Sequence, residues 1–216
     1  MADMITAEGL AAKIASLPPM PVVTYVNSTA DVKALSTICC TSANVVQVAN
    51  SLDATEMLMT PDRNLAMYAA SQTNKKIHVW DGYCPSHEHL KPKDVAAARK
   101  EHPEAVFMAH PECRPDVLEI ADVIASTSGM IRHAKASDSK SFIVGTELGL
   151  LYPLQKANPD KMFFPASDKM ICKNMKKITL DDILRSLENM EGEVKVPEEI
   201  RTPALRAVER MIALSK

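Results

Sequence analysis

One stretch of this chain occurs twice, at an interval of about 85 to 88 residues. That repeat limits the fold more than any single motif does, because both copies must adopt the same topology. The segment VVTYVNSTADVKALSTICCTSANVV, from Val22, aligns with AVFMAHPECRPDVLEIADVIASTSGMI, from Ala105. Asp31-Val32 falls on Asp116-Val117, and Thr41-Ser42 falls on Thr127-Ser128. Further on, EMLMTPD (56–62) matches SFIVGTE (141–147), and each copy closes on a cysteine, Cys84 in HVWDGYCPSH and Cys172 in DKMICKNMK. Identities are few. The shared order of elements carries the match.

Within each copy, short apolar runs alternate with helical stretches. VVTYV, EMLMT and KIHVW in the first copy, and AVFMA, DVIAS and SFIVG in the second, are β-rich and bounded by polar or turn residues, as buried parallel strands are. TADVKALST, ANVVQVANSL, CRPDVLEIA and GMIRHAKA read as helices, and KDVAAARKEH as a helix joining the copies. Strands alternating with helices predict an α/β fold of repeated three-layer αβα sandwich domains with parallel sheets. The expected divisions are 1–85, 86–172 and a C-terminal helical segment, 173–216. In that segment Thr179 is a candidate N-cap with Asp182 three residues on, and Thr202 caps a last helix that has Pro203 at its first position. Ligands of such sheets gather at the carboxyl ends of the strands. The polar motifs there are Tyr25-Val26-Asn27, His110-Pro111-Glu112, Ser126-Thr127-Ser128 and Gly145-Thr146-Glu147.

Composition narrows the classes. A formal net charge of −2 leaves no electrostatic footprint for nucleic acid or an anionic membrane. The N-terminus lacks the basic and apolar regions of a secretory signal, and no apolar run approaches the roughly 20 residues that span a bilayer. The expectation is a cytoplasmic protein. Its five cysteines are then not a disulfide framework. Cys39 and Cys40, in an apolar stretch, read as buried hydrophobes. Cys84 and Cys172 recur at equivalent repeat positions, which leaves both burial and metal binding open. The two Thr-Ser pairs precede apparent helix starts at Ala43 and Gly129, so they are either plain caps or an anion site. His110 and Glu112 flank a proline that can turn both side chains to one side, where such a pair can polarise a carbonyl and move protons; a surface turn is the plainer reading. His78, His89, His102 and His133 stand in no motif and read as solvated.

Together, VTYVNSTADVKA with CTSAN, PDRNLA, WDGYCPSH, HPEC, ADVIASTSG, FIVGTELG and CKNMKKITL resemble the quinolinate synthase family, in order and spacing, over essentially the whole chain. The resemblance implies a pseudo-threefold protein of three αβα domains with one cysteine of each on a 4Fe-4S cluster. It also implies a transferase of NAD biosynthesis that condenses iminoaspartate with dihydroxyacetone phosphate to quinolinate, losing water and phosphate. An L-aspartate oxidase or dehydrogenase would supply the iminoaspartate. Carried over by motif, Cys84 and Cys172 fall on cluster ligands, and Tyr25, Asn27, Ser42, His110, Glu112 and Thr127 fall on substrate-contacting positions. His87 falls on a histidine that handles protons near the cluster, and Tyr25, His110 and Glu112 join it as catalytic candidates. In the family MADM follows the first cluster cysteine, whereas here it opens the chain. The expectation is therefore that the first domain and its third ligand precede residue 1, that the terminal helices pack on that domain, and that the isolated chain has little activity. A different class of reading is a non-catalytic remnant or split subunit acting as an interaction module.

Overall fold

The structure, a computed structural model, describes residues 1–214. The chain opens with α1 (Ala7–Ala15), β1 (Val22–Tyr25), α2 (Ala30–Ala34), β2 (Ile38–Cys40), α3 (Val45–Ser51), β3 (Glu56–Thr60), α4 (Arg63–Ser71) and β4 (Lys76–Val79). Two helices, α5 (Pro85–Glu88) and α6 (Pro92–Glu101), lead into β5 (Val106–Ala109), α7 (Pro115–Leu118), β6 (Val123–Ile124), α8 (Thr127–Ala136), β7 (Ser141–Gly145), α9 (Leu151–Ala157) and β8 (Met162–Pro165). The chain ends in α10 (Leu180–Asn189) and α11 (Glu198–Leu214).

The eight strands form two four-stranded sheets of matching order, β2-β1-β3-β4 and β6-β5-β7-β8. Every pairing is parallel, with Val23 opposite both Ile38 and Met59, and Ala109 opposite both Ile124 and Gly145. Side chains alternate across a strand, and here both faces are covered. Val23, Tyr25, Met57 and Met59 pack with residues of α3, α4 and α11, whereas Val22 and Leu58 pack with Leu10 of α1 and Val32 of α2. In the second sheet Phe107, Ala109 and Ile143 face α6 and α7, whereas Met108, Phe142 and Val144 face α8 and α9. This is a three-layer αβα arrangement made twice. Phe107 and Phe142 are fully buried, and each such side chain contributes about 1.5–3 kcal/mol on burial.

Two strands depart from the sequence reading. β2 lies in a stretch read only as apolar, and β8 was not foreseen. Each copy supplied the strand missed in the other, since the repeat equivalent of β2 is β6 and that of β8 is β4. Both missed strands are short, and β8 ends in Pro165, so neither shows a readable period.

The terminal helices differ from each other. α10 has the expected capping box, with Thr179 and Asp182 satisfying one another's amides, and Ile183, Leu184, Leu187 and Met190 are exposed. α11 instead packs on α2 and β2 of the first unit, burying Ala204, Ala207 and Met211, and Arg210 donates to the Thr37 carbonyl at 2.7 Å. Its start is corrected: it begins at Glu198, and Pro203 lies inside it. Arg201 N–H donates to Pro197 at 2.8 Å and the Arg201 side chain pairs with Glu198, which closes a turn before the proline. Glu198 and Glu199 also favour the helix N-terminus. The last two residues of the stretch read as that helix, Ser215 and Lys216, lie outside the described residues.

Candidate functional site

Each candidate side chain sits at the carboxyl end of a strand or in the segment that follows it. Tyr25 ends β1 and Asn27 follows it; Ser42 follows β2; Cys84 is the residue before α5, and His87 is on that helix. His110 and Glu112 follow β5, Thr127 opens α8 after β6, and Cys172 follows β8. All of them line one cavity of about 470 Å³. Residues some 150 positions apart in sequence are thereby brought to one place by strand direction alone.

At the cavity floor His87 and His110 are stacked, ring centroids 4.4 Å apart and 13° from parallel. Glu112 Oε2 lies 3.3 Å from Nδ1 of each ring. The Glu112 amide donates to His110 Nδ1 at 3.3 Å, so that nitrogen presents its lone pair. His87 Nε2 is 2.9 Å from the Thr146 hydroxyl. Burial pushes the pKa of His87 down to about 4. It also lowers that of His110 well below the usual imidazole range, with His87 adding to the effect. Burial, then Asp62 and Cys172, raise Glu112 well above the usual carboxylate range. The proton of this trio is thus favoured on the glutamate, with both rings neutral.

Around the trio, burial and then Glu112 raise the Tyr25 phenol, while a hydrogen bond with Ser42 opposes them. Burial, then Glu112, push the Cys84 thiol up to about 12, so Cys84 holds its proton until a cation displaces it. Two buried atoms, His87 Nδ1 and Glu112 Oε1, make no hydrogen bond among the described residues. Ligand atoms of Cys84, His87 and Glu112 lie within 4.8 Å of one another. Sulfur, nitrogen and carboxylate donors that close can hold a metal.

The Thr-Ser pairs are placed differently from the expectation. Helix α8 starts at Thr127, and Ser126 is its cap, accepting the Gly129 amide at 3.2 Å. Helix α3 starts at Val45, and Asn44 turns back to accept the Thr41 amide at 2.7 Å. Small polar side chains after a strand bond the neighbouring backbone and so move a helix start by a residue or two, later in α3 and earlier in α8. Of the histidines read as solvated, His89 is exposed, but His78 binds Glu56 at 2.8 Å, His102 stacks on Phe164 and His133 meets the edge of Phe142. Cys39, Cys40 and Cys113 are buried. Ser86 and Asn174 line the cavity without having been singled out; their signal was adjacency to Cys84 and Cys172.

Two parallel αβα units that turn their strand ends toward one cavity of thiols, stacked histidines and a buried carboxyl define a duplicated α/β protein with a metal-competent centre. The chain belongs to the quinolinate synthase family: the family model described as Quinolinate synthetase A protein matches residues 1–213. It is 53% identical over 216 residues to quinolinate synthase of Geobacter metallireducens, covering 100% of this chain and 71% of that protein. Quinolinate synthase of Geotalea uraniireducens is 52% identical with the same coverage. Quinolinate synthase 1 of Methanosarcina acetivorans is 52% identical over 214 residues, covering 99% of this chain and 70% of that protein. No helix among the described residues is long and apolar enough to cross a membrane.

Proposed function

We propose that this cavity serves the condensation of iminoaspartate with dihydroxyacetone phosphate to quinolinate, with loss of water and phosphate. The observation that carries the reading is the convergence of Tyr25, Asn27, Ser42, Cys84, His87, His110, Glu112, Thr127 and Cys172 on a single cavity. The division into 1–85, 86–172 and 173–216 belongs to the same reading and is supported by one sheet in each of the first two segments.

The donor set fits an iron–sulfur group. Soft thiols from both units line the cavity, and two buried atoms without a hydrogen bond, His87 Nδ1 and Glu112 Oε1, belong to side chains whose ligand atoms lie within 4.8 Å of one another and of Cys84. Cys84 and Cys172 would hold a 4Fe-4S cluster, sulfur being the ligand such clusters select. When bound, the cluster supplies a Lewis-acidic iron for a substrate oxygen.

The protein's own groups do the rest. Glu112 holds a proton beside two neutral imidazoles, so it donates to a departing hydroxyl while a histidine accepts from carbon or nitrogen. His87 is held by Thr146 and by the stack on His110, which fixes where its Nδ1 points. Tyr25 stays a phenol and donates a hydrogen bond. Asn27, Ser42 and Thr127 offer neutral donors to carboxylate or phosphate, and Thr127 places the positive end of α8 at the cavity wall.

The direct test is binding of quinolinate to this chain by calorimetry. Binding is expected, with a loss of about tenfold or more in His110→Ala and Glu112→Ala, since each would leave a charged ligand group unpaired. Unchanged affinity in both variants sinks the reading.

A further inference from the structure

We propose that Asp62 and Glu147 are paired positioning residues, each using one carboxylate oxygen to hold the backbone amide of its own unit's cysteine. Asp62 Oδ2 accepts the Cys84 amide at 2.8 Å across a separation of 22 residues. Glu147 Oε1 accepts the Cys172 amide at 3.3 Å across 25 residues. The second oxygen in each case closes the turn that follows the strand: Asp62 Oδ1 takes the Leu65 amide at 2.8 Å, and Glu147 Oε2 takes the Gly149 amide at 2.7 Å.

The backbone repeats the pattern. The residue after each carboxylate donates its amide to the carbonyl two residues before the cysteine, Arg63 to Gly82 at 2.7 Å and Leu148 to Met170 at 3.0 Å. Both carboxylates are buried, at 2% and 8% exposure, and each stands two residues past the equivalent strand, β3 or β7. Glycines permit the approach. A Cβ on Gly82 would lie 2.4 Å from the Pro61 carbonyl oxygen, and one on Gly149 would lie 2.6 Å from Glu147 Oε2. Glu147 also pairs with Lys176 at 3.3 Å.

Two independent occurrences of one geometry, on the two residues that the repeat superimposes, make chance capping a poor account. An anionic acceptor makes a stronger, better-directed bond than a neutral one. Each carboxylate therefore fixes where its cysteine leaves the loop. Groups that orient a metal ligand from behind commonly control retention of the metal. This inference rests on reading Cys84 and Cys172 as ligands.

The test uses the whole chain with Asp62→Ser, which keeps a cap for α4 but has one oxygen, and Glu147→Gln. Amide exchange at Cys84 and Cys172 is followed by NMR in the metal-free protein. Asp62→Ser is expected to speed exchange at Cys84 by about tenfold or more and leave Cys172 unchanged; Glu147→Gln is expected to do the converse. After anaerobic loading with iron and sulfide, both variants should release iron to a chelator several-fold faster than Leu154→Ala, a variant of the fully buried core. Exchange that moves together at both amides, or at neither, overturns the proposal, as does iron release no faster than in Leu154→Ala. If the unsubstituted chain takes up no iron while the exchange pattern crosses as expected, the ligand reading fails and the amide anchoring stands.

Discussion

The side-chain amide of Asn64, at the start of α4, donates to the main-chain carbonyl of Glu112 at 3.1 Å, tying the first unit to a cavity residue of the second. The same amide group donates to Glu88 Oε2 at 3.0 Å. Asn64 is 3% exposed, so no water can replace it cheaply. Asn64→Ala leaves a buried carbonyl short of a partner and is expected to destabilise the chain by about 1–3 kcal/mol. Denaturant unfolding measures it; a change under a few tenths would show that the junction does not depend on this residue.

Glu88 is the ionic counterpart of that tie. Its carboxylate meets Arg63 at 3.2 Å from the first unit and Arg114 at 3.0 Å from the second. Burial alone would raise its pKa, but Asn64, Arg114 and Arg63 outweigh burial and hold it below the usual 4.5. A depressed folded value means stability that is present above about 4.5 and lost as pH falls through the folded value. Glu88→Gln should flatten the acid limb of a stability-against-pH curve from pH 5 downward. An acid limb identical to that of the unsubstituted chain would contradict this.

Gly82 is expected to tolerate no side chain. A Cβ there meets the Pro61 carbonyl at 2.4 Å, and backbone cannot move aside as a flexible side chain can. Gly82→Ala should cost about 1–3 kcal/mol, a fall of roughly 2–4 °C in melting temperature per kcal/mol for a chain of this size. Calorimetry checks it.

How much of this was visible in the residues depends on the kind of signal. The repeat and the strand-end positions of Tyr25, His110 and Thr127 are local patterns, and parallel topology converts them into one site. Strand β2 was hidden because its three residues are too few to show a period, and α11 because Pro203 looks like a helix start while bonds to Pro197 and Glu198 extend the helix before it. The roles of Asp62 and Glu147 were not legible either. The two residues align in the repeat, but their bonds reach 22 and 25 residues along the chain, beyond any sequence pattern.

Helix α10 presents an exposed apolar face, with Leu184 at 52% and Leu187 at 73%. Exposed apolar stripes of this kind promote association. The double substitution Leu184→Lys and Leu187→Glu should reduce light scattering at high concentration while leaving the melting temperature within about 2 °C, because surface changes away from packed contacts are near neutral. Scattering that does not fall would place the sticky surface elsewhere.

The central claim is that Cys84 and Cys172 act together on one inorganic group. Iron and acid-labile sulfide bound per chain after anaerobic reconstitution test it most directly, comparing the unsubstituted protein with Cys84→Ser, Cys172→Ser and Cys113→Ala. The account predicts iron with sulfide on the unsubstituted chain and on Cys113→Ala, and loss of both in either serine variant. Equal loading in all four proteins, or loss only in Cys113→Ala, would contradict it.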